Sequence, residues 1–217
     1  AVLRTLGTRF DIMFPLGDPP DYEPTADKSI AARAARMGCS PEELALDTML
    51  ERDGQELFFV PVTNYSSGDA SVVMNMLRHP NVFLGLADGG AHVSRICDSS
   101  VPTFMLSYWA RDRTRGPRFG LEEVVRMQTA STAGFYGLND RGLLAPGRKA
   151  DVNIIDFDRL RLRAPEMTRD QPAGANRLIQ RAEGYEMTLV DGIPTFERGE
   201  PTGALDRKST RLNSSHG

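Results

Sequence analysis

Apolar positions change rhythm along this chain. Leu44, Leu46, Met49 and Leu50, then Val72, Val73, Met76 and Leu77, then Leu121, Val124 and Val125 recur at helical spacing, which brings them onto one face of a helix. Between these stretches lie two short apolar runs, LFFVPVT (57–63) and VFLGLA (82–87). Runs of that length, bounded by glycine and proline, read as buried strands of a parallel sheet, although Pro61 weakens the end of the first. Helices are predicted at 27–37, 41–54, 69–78, 102–111 and 121–130, with a shorter one near 131–136. Gly38 stops the first. Ser40, Pro41 and Glu43 open the second as a capping box with proline at the first helical position. The aromatic stripe of Phe104, Tyr108 and Trp109 reads as core packing.

After Gly142 the pattern shortens and turns multiply. A strand is predicted at 150–157, and a hairpin joins 185–190 to 193–197 through Asp191-Gly192. Strand–helix–strand alternation upstream argues for an α/β fold, followed by a separate β-rich segment over 142–205. There is no internal repeat.

Composition is that of an ordinary globular protein: 217 residues, 40% hydrophobic and 25% charged. This suits one large domain or one and a half. A net charge of −3 gives no sign of a nucleic-acid footprint, and no nucleic-acid partner is expected. The basic run Arg111, Arg113, Arg115, Arg118 reads as a solvated helix end and loop rather than a phosphate site. No apolar stretch approaches the roughly 20 residues of a membrane helix, so no membrane association is expected. The first residues lack the features of a signal peptide and an initiator Met, which suggests a chain that begins inside something longer. Cys39 and Cys97 lie far apart without CxxC spacing, so a reducing, cytoplasmic setting is expected, with both thiols as packing residues.

Candidate chemistry centres on Asp88, where the second apolar run stops before Gly89 and Gly90. Polar residues at the C-terminal ends of buried parallel strands are where α/β folds place their chemistry. A carboxylate there can touch a metal or a proton in transit; it can equally cap a turn. His92 follows as a substrate contact, a support for Asp88 or a loop histidine. Asn64 and Tyr65 follow the earlier strand and are mouth candidates or exposed loop. Arg95 and Ser99 are further substrate-contact candidates, with helix capping the alternative for Ser99. Asp151 is expected to be structural.

The tail, DRKSTRLNSSH (206–216), equals a sequencing-library adapter translated in one frame. Residues 206–217 are therefore expected to be foreign and are set aside.

GLADGGAHV (85–93), RDRTRG (111–116), QTASTA (128–133) and GLLAPGRKADVNIIDFD (142–158) resemble the amidohydrolase superfamily, in particular its N-acyl-D-amino-acid deacylase branch. FPLGDPPDYEPTADKSIAARAARMG (14–38) and QPAGANRLIQRAEGYEMTLVDGIPTFERGEPTGAL (171–205) extend the likeness over nearly all of the chain before the tail. The resemblance implies the C-terminal part of a (β/α)8 TIM-like barrel over 1–141. It also implies a share of a small β-subdomain over 142–205.

It further implies hydrolysis of a non-peptide C–N bond in a small-molecule amide, by water activated on a divalent metal, zinc by preference. Bound zinc brings the pKa of its water toward about 7. Asp88 matches the family's general acid/base and a metal contact. The remaining ligands, a His-x-His pair among them, are not in this sequence, which has only His79 and His92 before the tail. Residues 1–205 alone are thus expected neither to hold a catalytic metal nor to be active. The branch places an Arg shortly after this Asp to grip the substrate carboxylate. In HVSRICDSSVPTFM (92–105) Arg95 is the only base, differently placed. A cyclic-amide hydrolase of hydantoinase or dihydroorotase type and a non-catalytic barrel scaffold remain the alternatives. The sequence does not set the oligomeric state.

Overall fold

In the computed structural model, which describes residues 7–85, 87, 90 and 92–204, the first two helices begin where a serine oxygen replaces a missing helical acceptor. Ser29 Oγ accepts the Ala32 amide at 3.2 Å and opens α1 (Ile30–Met37), which Gly38 ends in the left-handed conformation (φ 72°). The preceding Ala26–Lys28 forms one 3-10 turn, so the helix starts three residues later than the periodicity suggested. Ser40 Oγ accepts the Glu43 amide at 3.1 Å and opens α2 (Pro41–Gly54), as the capping pattern predicted. Its helical geometry fails at Glu51, and Arg52 and Asp53 adopt positive φ.

The buried face of α2 is not the one expected. Leu44, Ala45 and Thr48 are buried, while Leu46, Met49 and Leu50 are exposed. α1 presents Ile30 and Ala34 to this row, and the two alanines allow a close approach of the helices. With Met13 they form the first core cluster.

The run 57–63 pairs over only two residues. β1 (Phe14–Pro15) lies antiparallel to β2 (Phe58–Phe59), with Phe14 opposite Phe59. This corrects the expectation of a buried parallel strand. Residues 82–85 join no ladder either, and Leu86 and Asp88 lie outside the described residues. Parallel strands pair through crossover connections in sheets covered on both faces, and every ladder among the described residues is antiparallel.

A second core gathers from α3 (Ser71–Leu77), α4 (Val101–Phe104), α5 (Leu121–Gln128) and the turns between them, with α6 (Ala130–Phe135) following. α4 continues into a π-helical segment, Met105–Asp112, whose wider turn appears in the bond from the Arg113 amide to the Tyr108 carbonyl, 2.9 Å. Met74, Met105, Leu106, Trp109, Phe119 and Val124 fill this core, and Leu160 from the C-terminal segment completes it.

The C-terminal segment is antiparallel throughout its described ladders. β3 (Val152–Ile155), β8 (Tyr185–Val190), β9 (Ile193–Glu197) and β10 (Glu200–Pro201) form one sheet in the order β10-β9-β8-β3. The Asp191-Gly192 turn has φ of 52° and 79°, the double positive that the right-handed strand twist favours in a two-residue hairpin. Asp151 is structural, as expected: its carboxylate accepts the Asp191 amide at 2.9 Å. Two pairings were not anticipated, β4 (Arg161–Leu162) with β7 (Ala182–Glu183), and the hairpin of β5 (Glu166–Gln171) with β6 (Ala175–Ile179). The fold is thus a mixture of helices and small antiparallel sheets. No described helix is long and apolar enough to cross a membrane.

Candidate active site

A cleft of about 570 Å3 opens beside β2. Its walls are residues 57–65, the segment around α4 and the π-helical turn, and Leu162, Pro165 and Leu178 from the C-terminal segment. The volume is that of a site for a small organic ligand. Tyr22 stands edge-on between Phe59 and Phe104, with ring centroids 5.5 and 5.3 Å away.

Behind this wall sits a buried ion pair. The side chains of Arg113 and Glu23 are 0% and 1% exposed. Arg113 Nε and Nη2 each donate to a Glu23 oxygen at 2.9 Å. The Ala70 amide donates to Glu23 Oε1 at 2.8 Å, and the Tyr108 hydroxyl donates to Oε2. Burial pushes the Glu23 carboxyl up, but Arg113, Ala70 and Tyr108 outweigh it and hold the group below its ordinary value. Burial and the neighbouring Glu23 charge push the Tyr108 hydroxyl well above the usual tyrosine range. The guanidinium also lies over the Trp109 ring, 4.9 Å from its centroid. A Cβ on Gly116 would come within 2.7 Å of Arg113 Nη1, so the glycine of RDRTRG leaves room for that side chain. The basic run is therefore not merely a solvated helix end: an acid 90 residues away pays for burying Arg113.

Arg115 extends the network to the cleft. Its Nη1 donates to the Glu23 carbonyl at 2.9 Å and to the Tyr65 hydroxyl at 3.0 Å. Tyr65 in turn donates to the Pro24 carbonyl at 2.6 Å. Burial raises the Tyr65 pKa despite Arg115. With its proton committed to Pro24, Tyr65 offers the cleft its ring rather than a free donor. On the opposite side Gln180 acts as a tie. Its Oε1 accepts from Ser100 Oγ at 2.5 Å, and its Nε2 donates to the Tyr22 hydroxyl and the Arg163 carbonyl, both at 2.9 Å.

Of the sequence-predicted site residues, Asn64, Tyr65 and Arg95 come together on this cleft. Asn64 is exposed at φ 60°. Arg95 is exposed and is the only basic side chain among the described lining residues. His92 and Ser99 are exposed and do not line it. The His92 carbonyl accepts the Arg95 and Ile96 amides at 2.8 and 3.1 Å and starts a turn at φ 46°. Asp88 lies outside the described residues. Cys97 lines the cleft half-buried, and burial followed by the nearby Asp98 charge raises its pKa, which keeps it a thiol. Tyr22, Glu23 and Gln180 escaped the sequence reading, which took Tyr108 for core packing and Arg113 for part of a solvated helix end. The one usable signal was an acid enclosed by Tyr22 and Pro24 in a proline-rich stretch, a setting that needs a counter-charge.

Among the described residues, no three His, Cys, Asp or Glu side chains gather closely enough to hold a metal ion. His79 Nδ1 already accepts the Asn81 amide at 3.2 Å. The described donor set does not fit a catalytic metal centre, and no metal-assisted step follows from it.

Comparison with known proteins gives three curated relatives. An adenine deaminase of Methanoculleus marisnigri is 54% identical over 43 residues, 19% of this chain and 8% of that protein. A dihydroorotase of Lactobacillus johnsonii is 34% identical over 86 residues, 37% of this chain and 19% of that protein. An N-acyl-D-glutamate deacylase of Alcaligenes xylosoxydans xylosoxydans is 39% identical over 82 residues, 38% of this chain and 15% of that protein. A solved D-aminoacylase structure superposes with a TM-score of 0.49 at 21% identity, covering 88% of this chain and 36% of that one. The matches thus span less than a fifth of each curated relative. The profile of the Amidohydrolase family matches residues 21–196, which takes in the whole cleft except Leu16, and the chain belongs to that family.

Proposed function

We propose that this chain is part of a hydrolase that cleaves the amide C–N bond of a small N-acyl amino acid, with D-configured substrates foremost. The observation that carries the reading is one cleft joining apolar walls to Asn64, Tyr65 and Arg95 in a chain of the amidohydrolase family. Arg95 is suited to pair with the substrate carboxylate, and the Asn64 carboxamide to bond the scissile amide. His92 and Ser99 remain weaker candidates from the neighbouring turns. Asp88 is the proposed general acid/base: it takes a proton from the attacking water and returns it to the departing nitrogen. Members of the family are generally metal-dependent. The reading includes a divalent metal, zinc by preference, with Asp88 among its ligands. It also places residues 1–141 in a TIM-like barrel and 142–205 in a small β-subdomain, in a cytoplasmic protein, to which the two free cysteines lend support.

The dihydroorotase match favours cyclic-amide hydrolysis as the second reading. Trp109, the single tryptophan, lines the cleft, so its fluorescence reports occupancy. Titration with N-acetyl-D-amino acids, dihydroorotate and a hydantoin separates the two readings. Saturable quenching by the acyl-amino acids is expected. Response to the cyclic amides alone transfers the assignment to the second reading, and response to neither overturns both. In the protein that carries this chain, Asp88→Asn is expected to lower amide hydrolysis by about 100-fold or more.

A further inference from the structure

We infer that the β5–β6 hairpin is a wall of the substrate cleft and that Leu178 on it sets how long an acyl chain the site accepts. This rests on the acyl-amino-acid reading above.

The hairpin has little core of its own. Most of its residues are exposed, and it is held together by cross-strand ion pairs such as Arg177 with Asp170 at 2.6 Å and neighbouring Arg181 with Glu166 at 2.9 Å. Yet it is tied to the cleft at two points. The Leu178 amide donates to the Val93 carbonyl at 2.7 Å, which fixes β6 against the turn that leads to Arg95. Two residues on, Gln180 bonds Ser100 and Tyr22, both of which line the cleft. Between these ties Leu178 is half-buried and lines the same cleft. Its ladder partner Met167 is exposed and does not line it. The hairpin therefore contributes one apolar side chain to the cleft from a position fixed by polar bonds on both sides.

That arrangement suits a specificity element. Phe59, Phe104, Leu162 and Leu178 give the cleft apolar surface that a two-carbon acetyl group does not need. Each methylene buried against such surface strengthens binding about fourfold (~0.8 kcal/mol) until the wall is reached. The residue that forms the wall sets where the series stops.

The test is Trp109 fluorescence titration of the full chain with N-acetyl-, N-butanoyl-, N-hexanoyl- and N-octanoyl-D-leucine, and in parallel with the free alkanoates. In the unaltered protein, affinity is expected to rise by up to about fourfold per methylene. Leu178→Trp is expected to leave the acetyl compound bound and to weaken the octanoyl compound at least tenfold. Leu178→Ala, which moves the wall back, is expected to carry the methylene steps on to longer acyl chains than in the unaltered protein. Thr168→Ala, whose ladder partner is Arg177 and which therefore lies on the opposite face of the hairpin from Leu178 and off the cleft lining, is expected to change none of the steps, and it reports any loss that comes from unfolding the hairpin. Equal methylene steps in all variants overturn the inference and leave the acyl-amino-acid reading intact. Alkanoate steps that respond to Leu178 while no acyl-amino acid binds keep the inference and remove that reading. Absence of chain-length dependence in both series overturns the inference.

Discussion

Glu23→Gln is the sharpest test of how the cleft is held. The substitution keeps the shape of the side chain and removes its charge. Four donors converge on this carboxylate: two from Arg113 at 2.9 Å, the Ala70 amide at 2.8 Å and the Tyr108 hydroxyl. An amide replaces one acceptor oxygen by a donor, so at least one of these donors faces an N–H, and the fully buried Arg113 guanidinium loses its counter-charge. Removing one partner of a buried pair costs about 3–5 kcal/mol, a large part of the ~5–15 kcal/mol by which a domain is stable. At ~2–4 °C per kcal/mol for a chain of this size, the melting temperature falls by roughly 6–20 °C. Melts followed by circular dichroism and by Trp109, over which Arg113 lies, provide the readout. The double variant Glu23→Gln with Arg113→Met removes the orphaned charge and is expected to recover much of the loss. pH supplies a second arm. The folded carboxyl lies below its ordinary value of 4.5, so its contribution is present above pH ~4.5 and is lost as pH falls through the folded pKa. The unaltered chain thus loses stability on that acid limb, and Glu23→Gln flattens it. A loss under ~1 kcal/mol, or a double variant as unstable as the two single losses added together, refutes the reasoning.

Three further outcomes follow from local geometry. Ser40→Ala removes the cap of α2 and is expected to lower stability by about 1 kcal/mol in urea melts. Thr48 is fully buried in α2, and its hydroxyl has no partner among the described residues; Thr48→Val is expected to stabilise by about 1 kcal/mol in the same melts, since it removes an unmet polar group. Gly184 (φ 94°) would bring a Cβ to 2.6 Å from Leu160 Cα, whereas Gly199 (φ 84°) faces open space. Gly184→Ala is expected to cost ~3 kcal/mol or more, from strain plus a backbone clash, and Gly199→Ala only ~1–2 kcal/mol; equal losses would show that the approach to Leu160 does not matter.

What the sequence made legible was local. Helix starts at Ser40 and the Asp191-Gly192 turn are written in a few adjacent residues, and both are found. The buried row of α2 was misread because Ala45 and Thr48 are weakly apolar or polar, while the exposed Leu46, Met49 and Leu50 dominate any periodicity. The β5–β6 hairpin left no clean alternation to read, because charged residues and not an apolar row hold its strands together, as in the pair of Arg177 with Asp170. Asn64, Tyr65 and Arg95, which line one cleft, were named from their places after apolar runs and after GLADGGAH. Glu23 and Arg113 meet across 90 residues of chain, and no local spacing encodes that meeting. The family could be read from motifs, and the profile match over 21–196 agrees.

The order β10-β9-β8-β3 leaves the main sheet with two unlike edges. On one, β10 is two residues long and includes Pro201, which has no amide hydrogen to offer a further strand. On the other, β3 is four residues long and carries Ile154, an exposed isoleucine. Added strands extend a sheet only where a continuous row of backbone donors and acceptors is on offer. Among the described residues the sheet thus has one edge at which a further strand can add, that of β3, and Ile154→Lys places a charge on it.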